Sequence, residues 1–240
     1  EGEIKIAKRI EKGLNQALRS LSGFPLTIAT TLEEFAKVQA GEMKLTDLLT
    51  AYIDPNAVDE VAIPKPRQAG DNNDDDDEEE EVDTGPDPEE ARVRYEKMKR
   101  LNTRALNASA KHGSDAPQAK KLREQLTEQF LELKLTPKQV DKLTLGLRQV
   151  VERIRSHERA IIDLCVRSAK MPRKEFIASF PENETNVNWI DGYLKGKRYS
   201  ASLKPQAEEI RRHQTKLIAL EKEAKLTIAE IKEINRKMSI

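Results

Sequence analysis

The segment DNNDDDDEEEEVD, residues 71–83, constrains this chain more than any other. It holds ten carboxylates and no Lys or Arg. Like charges at successive positions repel in every compact conformation. Almost no apolar area is present to offset an ordering cost of about 1–2 kcal/mol per residue. The flanks read the same way, since IPKPRQAG before the run and DTGPDP after it carry Pro and Gly but no Cys or aromatic residue. Residues 55–86 are therefore expected to form a long disordered acidic linker between residues 1–54 and 87–240.

The run also conceals a charge. The whole chain has 42 basic and 42 acidic residues, so its formal net charge is zero. Without those ten carboxylates, 42 basic residues face 32 acidic ones, a surplus of +10. A surplus of that size favours a polyanion or an acidic protein surface as partner.

Outside the linker the pattern is helical. Ile4, Ala7, Ile10, Leu14, Ala17, Leu18 and Leu21 recur at three- and four-residue intervals, the spacing of an amphipathic helix over 2–21. Gly23 and Pro25 punctuate it, and Ile28, Leu32 and Phe35 continue the spacing. A short helix is expected at Leu45–Ile53, capped by Thr46 and stopped by Asp54-Pro55. Beyond the linker, Asp87-Pro88-Glu89-Glu90 places a cap, a first-turn Pro and an acid three residues on, opening a helix that ends at Gly113. Leu122, Leu126, Phe130 and Leu133 mark the next helix.

LTPKQV, residues 135–140, reads as a cap at Thr136 with Leu135 stapling onto Val140. It opens the longest helix, which ends at Lys170-Met171-Pro172. A short helix around Phe176 and Phe180, a less regular stretch holding Trp189 and Tyr193, and a long helix through Ile210 and Leu217 follow. LTIAEI, residues 226–231, repeats the cap-and-staple pattern and opens the last helix. The expectation is an all-α fold, an irregular bundle of about eight or nine helices with no strand. Only 4% of residues are aromatic and there are ten glycines, where average usage would give about 17.

Little here belongs to an enzyme. Cys165 is the single cysteine, so no internal disulfide or multi-cysteine zinc cluster can form. It sits on an apolar helical face without a flanking His, which makes it a packing residue. His112, His157 and His213 are far apart and form no HxxxH or HExxH spacing, so no metal site is expected. No GxSxG, GxGxxG or GxxxxGK[ST] occurs, and no cofactor or small-molecule substrate is implied. No apolar run approaches the roughly 18 residues of a membrane span, and EGEIKIAKRI lacks a signal-peptide core. A soluble cytoplasmic chain is expected. Its start without Met and its end at RKMSI point to a piece of something longer.

The cations cluster. Arg92, Arg94, Lys97, Lys99, Arg100 and Arg104 crowd one helix, Arg148, Arg153, Arg155 and Arg159 another, and Lys195, Lys197, Arg198, Arg211 and Arg212 lie near the end. Such density suits a nucleic-acid backbone, which rewards charge without base reading. Lys44 precedes a helix start, where a cation beside free N–H groups suits a phosphate. Lys44, Arg92, Arg94, Lys97, Arg100, Arg104, Arg211 and Arg212 are therefore the candidate DNA-backbone residues. A helical adaptor whose faces bind only proteins is the alternative.

Several blocks also resemble one family in order. EGEIKIAKRIEKGLNQ, residues 1–16, resembles the closing helix of region 1.2 of bacterial primary sigma factors, and LTIAEIKEINRKMSI, residues 226–240, resembles the approach to their region 2.1. LTDLLTAYIDPNA, the acidic run, LKLTPKQVDKL, RIRSHERAIIDLCV, KMPRKEFIASF and NETNVNWI resemble the insert some of these factors carry between those regions. The resemblance implies a helical part of an initiation factor that binds core RNA polymerase, with the β′ subunit and promoter DNA as neighbours. It assigns base reading to no residue here. It also places residues 1–54 and 87–240 in one body, because the two family-like ends join adjacent regions.

Overall fold

The computed structural model describes residues 2–53, 85–113 and 116–238, without the side chains of residues 2, 3 and 7. The acidic run, and with it the expected linker through residue 84, lies outside the described residues. What is described is helical, as the periodicity predicts, and forms two compact units, Glu1–Glu33 with Pro137–Ile240 and Glu34–Thr136.

The first unit begins with α1 (Gly2–Ser22) and the start of α2 (Pro25–Gln39). Its other elements are α6 (Pro137–Ile162), α7 (Arg173–Ser179), the short α8 (Ser200–Leu203), α9 (Ala207–Ala224) and α10 (Ile228–Met238). Leu147, Val150, Val151, Ile154 and Ile161 of α6 are buried with Ile210, Leu217 and Leu220 of α9 and Ile228 and Ile231 of α10. A helical turn of wider pitch, Asp163–Ser168, extends α6. Inserting such a turn rotates the side chains that follow, and Cys165, not Leu164, becomes the fully buried residue.

Lys170 then adopts a left-handed φ of 62° and Pro172 follows, which stops the helix where expected. The irregular stretch is a 3₁₀ turn, Trp189–Tyr193, held by aromatic packing. Phe176 and Phe180 stack at 4.8 Å, and Trp189 meets their edges at 5.8 and 5.1 Å.

The threonines of the two LT caps make different bonds. At Thr227 the reciprocal box is complete, with the Thr227 N–H donating to Glu230 Oε2 at 2.8 Å and the Glu230 N–H donating to Thr227 Oγ1 at 3.2 Å. At Thr136 the hydroxyl donates to the Asp47 carbonyl at 2.9 Å, 89 positions away, tying the end of the second unit to itself. On α1 the amphipathic stripe is only partly used. Leu21 is fully buried, whereas Ile4, Ile6, Ile10 and Leu14 are exposed.

The second unit holds the end of α2, α3 (Leu45–Leu48), β1 (Leu49–Tyr52), α4 (Pro88–His112), α5 (Pro117–Leu131) and β2 (Leu133–Leu135). Two expectations are corrected here. The helix predicted for Leu45–Ile53 ends at Leu48, and a strand exists where none was expected. β1 and β2 pair antiparallel, Leu49 opposite Leu135 and Tyr52 opposite Leu133, with an irregularity between Leu49 and Ala51. Leu133-Lys134-Leu135 alternates buried, exposed, buried, the period of a strand over too few residues to read without its partner. α4 and α5 form an antiparallel hairpin burying Ala91, Tyr95, Met98 and Ala105 with Ala119, Leu126 and Phe130.

Candidate nucleic-acid interface

The geometry of the cationic helix starts at its cap. Asp87 accepts a hydrogen bond from the Glu89 N–H at 3.0 Å and Pro88 takes the first turn. With Ala91, Tyr95 and Met98 directed to the core, Arg92, Val93 and Lys97 between them face outward. Arg92, Lys97, Arg100 and Arg104 are exposed. Together with Glu89, Val93, Glu96 and Leu101 they line an open groove of about 630 Å³. No hydrogen bond or ion pair occupies these four cations among the described residues. Twelve residues separate the first from the last, about 18 Å along the helix. Duplex DNA carries about ten phosphates over such a length.

Arg94, on the same helix, is placed differently. It pairs with Glu90, Nη2 to Oε1 at 2.7 Å, and with Glu132, and its guanidinium lies 4.8 Å from the centre of the Tyr52 ring. Burial works against its charge, but the hydrogen bonds to Glu90 and Glu132 hold its pKa above the ordinary value. The Tyr52 hydroxyl is pushed up to about 12, first by burial and then by Glu90. Arg94 therefore joins β1, α4 and the residue before β2 into one structure.

Arg211 is similarly committed, to Glu208 at 2.7 Å and Asp191 at 2.5 Å. Arg212 is exposed beside it, with no hydrogen bond or ion pair among the described residues. Lys44 is exposed and sits at the start of α3 with no side-chain capping bond. That helix is a single turn and contains Asp47, so it presents a weaker dipole than a long helix would. Of the eight candidate cations, the groove brings together Arg92, Lys97, Arg100 and Arg104. Arg94 is tied into the packing, and Lys44, Arg211 and Arg212 lie on other elements.

Elsewhere the polar chemistry is structural. Cys165 is fully buried, and burial pushes its thiol up to about 12. Among the described residues no group of three or more His, Cys, Asp or Glu side chains converges. No helix there is long and apolar enough to cross a membrane.

One contact lay beyond sequence reasoning. His157 of α6 and His213 of α9, 56 positions apart, approach with Nδ1 atoms 3.1 Å from each other. The signal that could have found it is the helical register. Each is three residues past a core position, Ile154 and Ile210 respectively, so both flank the same seam.

Residues 24–221 match the family described as Sigma-70, non-essential region. The chain is also 33% identical, over an alignment of 257 positions, to the RNA polymerase sigma factor RpoD of Neisseria gonorrhoeae. That alignment covers 99% of this chain and 40% of the relative.

Proposed function

The chain belongs to the sigma-70 family, and from that premise we propose that it acts as a helical scaffold segment of a transcription initiation factor, docked on core RNA polymerase beside promoter DNA. The observation that carries this reading is the row of exposed, unpaired cations on α4. Four such charges over about 18 Å suit a phosphate backbone, to which they would lend affinity and position without selecting sequence. The polymerase neighbour is the β′ subunit, and the setting is the bacterial cytoplasm. No bond making or breaking falls to this segment.

The test uses the intact parent protein. It should co-purify with core polymerase and make RNA synthesis promoter-dependent. In the same protein, Arg92→Ala, Lys97→Ala, Arg100→Ala and Arg104→Ala together should flatten the plot of log affinity against log salt for promoter DNA by about 3 to 4, since each neutralised phosphate contributes about 0.9. An unchanged slope would remove DNA from the role of α4.

A second reading, a helical adaptor that binds only protein, is favoured by one feature. Val93 is 66% exposed in the same groove, with Glu89 and Glu96 beside it. Core polymerase that performs identically with and without the parent protein would leave the adaptor as the better account.

A further inference from the structure

We propose that His157 and His213 form a two-imidazole seat for a divalent transition-metal ion of the nickel and copper type, bridging α6 and α9. The two Nδ1 atoms are 3.1 Å apart, and the ring centres 5.2 Å. A metal about 2.0–2.1 Å from each nitrogen would be held at an N–metal–N angle of about 100°, between the tetrahedral and square-planar values. The ion would sit about 1.3 Å off the line between the two nitrogens, so each ring turns to aim its lone pair at it. Both histidines are half-buried and project from helices whose neighbouring residues Ile154, Ile210 and Leu217 are fully buried, so the separation is fixed by the core.

The proton arithmetic is also favourable. In the neutral pair one Nδ1 donates and the other accepts. Binding a metal through both requires only that the donor's proton move to its own Nε2, with no net release.

The remaining coordination positions fall to water. The exposed Glu209 carboxylate, one turn before His213, favours positive charge at that imidazole. Lys216 acts on both imidazoles and Arg153 on His157, and both oppose a dication. That opposition selects the ions with the strongest imidazole affinity, which by the Irving–Williams order are Cu²⁺ and Ni²⁺. The acidic run, as a carboxylate source, suits harder ions.

Thermal unfolding of the full chain with NiCl₂, against a chelator control, tests the site. At a hundredfold excess over the dissociation constant the wild-type midpoint should rise by about 5 °C or more. His157→Gln or His213→Gln should abolish most of that rise. No rise in the wild type, or a rise that survives in the double variant, overturns the proposal. A second measurement needs no variant. Electron paramagnetic resonance of the Cu²⁺-loaded wild-type chain should show coupling to two imidazole nitrogens, and an all-oxygen signal would overturn the site.

Discussion

Arg94 illustrates how similar cations on one helix acquire opposite roles. Its side chain is 19% exposed and shared between Glu90 and Glu132, whereas Arg100 is exposed and unpaired. Arg94→Ala would leave the half-buried Glu132 carboxylate without its cation and Tyr52 without its cover. We expect a loss of about 1–2 kcal/mol in urea unfolding. Arg100→Ala should stay within about 0.5 kcal/mol of wild type. Equal losses would contradict the division of labour.

The histidine pair supplies a pH prediction. Burial lowers the pKa of both imidazoles below 6.5, and for His157 the neighbouring His213, Lys216 and Arg153 lower it further. The folded state then binds fewer protons than the unfolded one below that value. The pair's contribution is intact above pH 6.5 and is lost as the pH falls through the lowered folded values. In chelator, stability between about pH 7.5 and 5 should fall more steeply for wild type than for a His157→Gln, His213→Gln double variant. Parallel profiles would assign the acid sensitivity elsewhere.

Among the elements, α10 depends most visibly on its first turn. Thr227 and Glu230 satisfy each other's backbone N–H groups, and the Ile228 N–H donates to Glu221 of α9 at 2.9 Å. Thr227→Ala should cost about 1 kcal/mol, read by urea unfolding, and Thr227→Ser should recover most of it. This box was legible in LTIAEI because both partners lie within four residues. The strand β1 was not legible. Leu45, Leu48 and Leu49 satisfy helical spacing, and only Leu133 and Leu135, more than 80 positions away, turn Leu49–Tyr52 into a strand. The wider turn at Asp163–Ser168 was hidden for a related reason. A wider turn needs no distinctive residue types and shifts only which side chain meets the core.

On the scale of the whole molecule, each unit is built from both sides of the acidic run. In the second unit alone, β1 pairs with β2, Phe35 packs against Tyr95 at 5.8 Å, and the Tyr52 hydroxyl donates to the Asp87 carbonyl at 3.3 Å. Protease cleavage within 56–86 should therefore leave fragments that co-elute on sizing. Separate elution would count against it. The +10 surplus outside residues 71–83 motivates a second whole-chain prediction, that the acidic run competes with DNA for the cations. Deleting those residues should raise nonspecific DNA affinity at low salt, and unchanged affinity would end the idea.

The linear chain by itself determined the helical class, the caps at Asp87 and Thr227, the stop at Pro172 and the family, because these rest on periodicities and blocks a few residues long. It also marked α4 as cationic. Which of those cations stay free was decided only by tertiary structure, as were the β1–β2 pair and the meeting of His157 with His213. Such pairings join residues tens of positions apart, and no local pattern records which carboxylate or imidazole the folded backbone will bring within 3 Å.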